Sequence, residues 1–153
     1  MLVRLYDLPP IAPIMDSMAA QGVTIRRALP SEKHIVIGWV EKNFHRGWAS
    51  EAEVALSHLP VSCFLSVRDN KLLGFGCYDA TCKGFCGPFG VLESERGQGL
   101  GKALLLASLH GMREFGYGYA AIGWAGPTKF YRDACGATVI EDSSPGIYRG
   151  MLH

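Results

Sequence analysis

Residues 96–102, Arg96-Gly97-Gln98-Gly99-Leu100-Gly101-Lys102, constrain this chain more than any other stretch. An apolar run closing at Val91-Leu92 precedes them. Ala103, Leu104, Ala107, Gly111, Met112 and Phe115 follow at helical spacing. The pattern reads as strand, glycine-rich turn, helix. Such a turn presents backbone N–H groups at a helix N-terminus, where the helix dipole is positive, and so suits a phosphate or pyrophosphate. Glycine allows positive φ and lets a ligand approach the backbone. Arg96 and Lys102 add positive charge at either end.

Two common phosphate loops do not fit. A P-loop needs glycine where Arg96 stands and Ser or Thr where Ala103 stands. A dinucleotide fingerprint counted from Gly97 meets Lys102 at its third glycine, and counted from Gly99 it meets Leu104. What remains is Arg96-x-x-Gly99-x-Gly101, with a ligand-free glycine turn as the alternative.

The chain has 153 residues, enough for one domain with one core, read here as residues 1–153. It divides into an N-terminal arm (1–22) and a core (23–153). Net charge is +1 with no block of like charge, which argues against a phosphate-neutralising nucleic-acid surface. The most apolar N-terminal piece, Ile11 to Ala20, is broken by Pro13 and Asp16, so no membrane span or leader is expected. The cysteines number five, an odd count that suits free thiols in a reducing cytoplasm. Cys77, Cys82 and Cys86 lack metal-ligand spacing, and no metal is expected.

Along the chain, Val23–Arg27 alternates like a strand. Ser31 heads a first helix striped by Ile35, Val36, Trp39, Val40 and Phe44. Ser50 and Glu53, at capping-box spacing, predict a second helix ending before Pro60. Val61–Val67 and Leu72–Tyr78 form a hairpin about Asp69-Asn70-Lys71, and Phe85–Leu92 is a further strand. The helix after the glycine turn ends near Phe115, with Gly116 as its cap. Tyr119–Trp124 reads as a buried strand, and Pro127 opens a short helix with Phe130, Tyr131 and Ala134. Ala137–Glu141 and Gly146–Leu152 are expected to close the sheet as a hairpin. The arm reads as irregular apart from a short extended piece at Val3–Tyr6. Its apolar residues, among them Leu2, Val3, Leu5 and Leu8, must pack on their own domain or on a partner.

The Arg96-x-x-Gly99-x-Gly101 loop resembles the pyrophosphate loop of the GNAT acetyltransferase superfamily. The order β-α-α-β-β-β-α-β-α-β-β resembles that family's fold. The block Phe130-Tyr131-Arg132-Asp133-Ala134-Cys135-Gly136-Ala137 is similar to its Phe-Tyr-x-x-x-Gly-Phe block. The resemblance implies an α/β (α+β) fold: a mixed, mostly antiparallel sheet flanked by helices and splayed between its fourth strand (85–92) and fifth strand (119–124). It implies acetyl-coenzyme A as co-substrate and an N-acetyltransferase moving acetyl to a primary amine of a small molecule or peptide. A non-catalytic acyl-coenzyme A-binding module of the same fold is the alternative. The implied coenzyme A contacts are the backbone of Phe89, Gly90 and Val91, and the loop Arg96, Gly97, Gln98, Gly99, Leu100, Gly101 and Lys102. Tyr131 is implied as the acid that protonates the departing thiolate, and a homodimer is implied because relatives often dimerise. The chain departs from the family in two places. Phe85-Cys86-Gly87 carries no acidic residue, and Trp124 stands near where many relatives have Asn. The base is left among Asp79, Glu93, His34 and His45, with no base needed for an acceptor already partly neutral.

Overall fold

The computed structural model describes residues 1–152. The chain opens with β1 (Leu2–Arg4) and α1 (Ala12–Ala20). There follow β2 (Thr24–Arg27), α2 (Lys33–Asn43), α3 (Arg46–Leu56), β3 (Cys63–Arg68), β4 (Lys71–Tyr78) and β5 (Cys86–Val91). The last elements of regular structure are α4 (Leu100–Glu114), β6 (Tyr119–Ala121) and α5 (Thr128–Cys135). Strands β2-β3-β4-β5 form one antiparallel sheet in that order, and β1 pairs antiparallel with β6. The two sheets touch through a parallel bridge between Phe85 and Ala121, where the Ala121 N–H donates to the Gly84 carbonyl at 2.8 Å. Beyond that bridge β5 and β6 diverge. The expected splay is therefore present.

Helix α4 is apolar nearly all round, and Leu104, Leu105, Leu106, Leu109 and Met112 are all buried. A helix of that composition must be covered on several sides. The four-stranded sheet covers one side, while α1, β1 and α5 pack around the rest. On the other face of the sheet, α2 and α3 close a second core around Val36, Val40, Ala52, Leu65 and Phe75. No helix among the described residues is long and apolar enough to cross a membrane.

Three expectations are corrected. The arm is not irregular: it carries α1, and Val3 and Leu5 are completely buried in the molecule's own core. The closing hairpin does not form. β1 lies between β6 and Thr138, with the Leu2 N–H donating to the Thr138 carbonyl at 2.8 Å and the Thr138 N–H returning to Leu2 at 2.9 Å. The N-terminal strand thus takes part of the sheet's closure, and Ser143-Ser144-Pro145-Gly146 breaks the strand pattern, leaving a 3-10 turn at Gly146–Tyr148. The second long helix starts at Arg46 rather than Ser50, because the His45 imidazole Nδ1 accepts the Trp48 N–H at 3.3 Å and caps it. Ser50 sits inside the helix and donates to the Arg46 carbonyl.

Candidate functional site

The glycine loop lies where its sequence predicts, between β5 and α4. Gly97 has φ +78° and Gly99, the N-cap of α4, has φ +91°. Both values lie in the region that side-chain-bearing residues avoid. Gly99 has a second reason to be glycine: a Cβ there would come within 3.2 Å of Met18 Cε, because α1 packs over the loop. Gly101 is different. Its Cβ would meet only ordinary contacts, the nearest 3.8 Å away at Phe130. The loop is also held at its start. Arg68 on β3 bonds the Glu95 carboxylate at 2.7 Å, and the same carboxylate accepts from Gln98 at 3.3 Å. Gln98 in turn accepts from Gln21 through its carbonyl. The Leu100 side chain is buried, so only its backbone is available to a ligand, whereas Arg96 and Lys102 are exposed.

Strand β5 offers an unpaired edge. The Leu92 N–H donates to the Leu73 carbonyl at 2.9 Å, and the register pairs Val91 with Gly74, Gly90 with Phe75 and Phe89 with Gly76. In an antiparallel pair, alternate residues point their N–H and C=O at the neighbouring strand. Gly90 therefore spends its backbone groups on β4, while those of Phe89 and Val91 face the gap toward β6. Gly90 is glycine for packing, since a Cβ would strike Phe44 at 2.5 Å and Phe75 at 2.8 Å. Pro88, which cannot donate to a ladder, sits in the same strand.

A cavity of about 750 Å³ opens between the diverging strands. Cys86, Pro88 and Phe89 line one side, Ile122, Gly123 and Trp124 another, with Tyr131 and Arg96 also on its wall. That volume is in the range of small-molecule sites. Tyr131 comes from α5, with its ring edge-on to Phe130 at 5.2 Å between centroids and packed beside the core. Burial first, then the neighbouring Cys86 and Cys135, push its phenol above the usual value, so it stays protonated across ordinary pH. Arg96 of the loop, Pro88 and Phe89 of β5, and Tyr131 thus share one cavity wall.

The base candidates separate. Asp79 is buried and fully engaged by the Tyr117 hydroxyl at 2.9 Å, the Gly84 N–H at 2.8 Å and Lys83, closing the loop after β4. His34 and Glu93 are exposed and away from the cavity wall. His45 lines the cavity, but its Nδ1 lone pair is taken by the Trp48 N–H, which leaves the proton on Nε2. The cavity residues that were not anticipated include Trp48, Glu51, Thr81 and Tyr148. Trp48 and Glu51 are three apart and share one face of α3, a signal hidden by starting that helix too late. Thr81 follows β4 and donates to Glu51. Among the described residues no three His, Cys, Asp or Glu converge as metal ligands would; Cys77 and Cys86 are buried and Cys82 half-buried.

A sequence model of the acetyltransferase (GNAT) family matches residues 29–136. No curated protein matches. Among solved structures, the chain is similar to the GCN5-related glucosamine N-acetyltransferase region of a fungal multi-domain β-N-acetylglucosaminidase. The TM-score there is 0.70 at 14% identity, over 88% of this chain and 19% of that one. It is similar to a GCN5-related N-acetyltransferase from Sphaerobacter thermophilus, with TM-score 0.55 at 24% identity, over 74% of this chain and 41% of that one. An aminoglycoside N-acetyltransferase in complex with coenzyme A gives TM-score 0.55 at 17% identity, over 77% of this chain and 92% of that one. The chain thus spans less than half the length of the first two.

Proposed function

The chain is a member of the GNAT acetyltransferase family, and from that premise we propose that it is an acetyl-coenzyme A-dependent N-acetyltransferase acting on a primary amine of a small molecule or peptide. The observation that carries the reading is one cavity whose wall takes Pro88 and Phe89 from the free edge of β5, Arg96 from the start of the glycine loop, and a protonated Tyr131. The loop amides and Arg96 hold the pyrophosphate. The pantetheine arm lies along Phe89 and Val91, pairing with backbone groups that no strand takes, and an N–H on that edge can polarise the thioester carbonyl. A neutral amine attacks that carbonyl; a C–N bond forms and the C–S bond breaks. Tyr131 gives its proton to the departing thiolate and recovers one from the new amide nitrogen.

A phenol suits this task because its ordinary pKa, about 10, lies near that of a thiol and above working pH. Tyr131 on the cavity wall favours the enzyme over a module that only binds acyl-coenzyme A. The fold does not select the acceptor. Two of the solved relatives act on glucosamine and aminoglycosides by name, and both are too distant in sequence to lend theirs. The five free thiols, none of them needed for the chemistry, fit a reducing compartment such as the cytoplasm. The test is to follow coenzyme A release from acetyl-coenzyme A across a panel of amines and peptide N-termini. Amine-dependent release with a matching acetylated product is expected. Tight acetyl-coenzyme A binding with no release for any amine would instead assign a binding module.

A further inference from the structure

We infer that the end of the cavity formed by Trp48, Glu51, Trp124 and Tyr148 is an acceptor subsite selecting a singly charged primary amine carried on an apolar, ring-bearing body, with Glu51 as the specificity-determining carboxylate. The inference rests on the acetyl-transfer reading and names its substrate class.

Glu51 is half-buried on the cavity wall, and its one hydrogen-bond partner among the described residues is the Thr81 hydroxyl. A carboxylate can accept about four hydrogen bonds. Thr81 fixes one oxygen and leaves the remaining lone pairs for a ligand. An ammonium group on a ligand would supply the charged donor that this carboxylate lacks among the described residues. The carboxylate is also close to the second wall: burial, followed by the Glu51 charge, raises the Tyr148 phenol above its ordinary value.

Tyr148 stacks on Trp124 with centroids 4.6 Å apart and planes 11° from parallel. Trp124 adopts φ +47°, a conformation that a bulky residue holds only under constraint and one that recurs at binding sites. Its indole is 70% exposed at the cavity mouth. Gly123 makes the stack possible, because a Cβ there would stand 2.3 Å from the Tyr148 hydroxyl. Trp48 is braced on the opposite side by Phe44, 5.4 Å away. Aromatic faces beside a carboxylate favour a cation whose body is itself apolar.

The charge count limits the class. Apart from Glu51, the charged or basic residues on the wall are Arg96, which belongs to the glycine loop, and His45, which caps α3. A polyamine would find one carboxylate for several charges. An amino acid would bring a carboxylate to an end already holding Glu51.

The test compares phenethylamine, spermidine and β-alanine as acceptors, with acetyl-coenzyme A affinity measured separately by calorimetry. Phenethylamine should lead in kcat/KM by about tenfold or more. Glu51→Gln should raise its KM by about 10- to 100-fold, the usual worth of a charged hydrogen bond, with acetyl-coenzyme A affinity unchanged. Tyr148→Ala should raise the same KM, and it decides the matter if Glu51→Gln does not fold. Spermidine or β-alanine leading, or an unchanged KM in the variants, would overturn the subsite while leaving acetyl transfer intact. A protein that binds no acetyl-coenzyme A would overturn both readings.

Discussion

At the scale of single residues, the proposed chemistry rests on Tyr131. Its ring is packed between α5 and the core, so removing the hydroxyl leaves the packing in place. Tyr131→Phe is expected to keep acetyl-coenzyme A affinity and lose turnover by roughly 10²-fold or more where chemistry limits the rate. The sign of the pH effect follows from the active form being the protonated phenol. Burial raises its pKa, so activity on the alkaline side should persist past the ordinary phenol value of about 10 before it falls, and that limb should change in the variant. Measuring kcat against pH for both proteins checks this; equal turnover would make Tyr131 structural. Tyr131 was legible in the sequence because a short motif carries it. Glu51 was not. It has no motif, and its meaning comes from Thr81 and Tyr148, which lie 30 and 97 positions away and meet it only in the fold.

At the scale of elements, the strand–loop–α4 unit was readable because local rules agree: an apolar strand, glycines at positive φ, then a long apolar helix ending at Phe115 before Gly116. What local rules could not foresee was long-range replacement. Val3–Tyr6 read as a short extended piece with no partner assigned, yet β1 pairs with β6 and bridges to Thr138, where a closing hairpin of the final residues was expected. Strand pairing over more than a hundred residues leaves no local trace. The loop itself can be tested without disturbing the fold. Gly99→Val would mix two effects, since Met18 and the positive φ both oppose it. Gly101→Glu separates them. A side chain has room there, loss of a helical glycine favours α4, and an acidic residue suits a first helical turn. The variant should melt no lower than the parent yet bind coenzyme A at least about 10²-fold more weakly, from charge repulsion near the pyrophosphate. Unchanged affinity by calorimetry would remove the loop from the site.

At the scale of the whole molecule, the sheet and its covering helices are tied by a few buried or half-buried polar contacts. Arg26 on β2 grips both oxygens of Glu32 just ahead of α2, at 2.6 Å and 2.8 Å, and the Leu29 N–H bonds the same carboxylate at 2.7 Å. The guanidinium first, then the Leu29 N–H, hold the Glu32 carboxyl at about 2, against burial, which opposes the shift. A carboxyl with a lowered folded pKa stabilises the fold above its unfolded value and loses that contribution as the pH falls through the folded one. The window therefore runs from about pH 4.5 down to about 2. Because both side chains are partly exposed, the effect should be on the order of 1 kcal/mol after screening. Urea denaturation across that window should show the loss, and Glu32→Gln should flatten it. A parent and variant with parallel pH profiles would mean that the pair contributes nothing.

The most direct measurement is a titration of isotope-labelled protein with coenzyme A, followed through its backbone amide resonances. The amides of Phe89, Val91 and the loop from Gly97 to Gly101 should shift together and saturate at one affinity, because one bound coenzyme A is proposed to span the free edge of β5 and the start of α4. The Gly90 amide, engaged with β4, should move less than its two neighbours. Saturable shifts confined to another face, or none at millimolar coenzyme A, would contradict the assignment of this gap between β5 and β6 as the acetyl-transfer site.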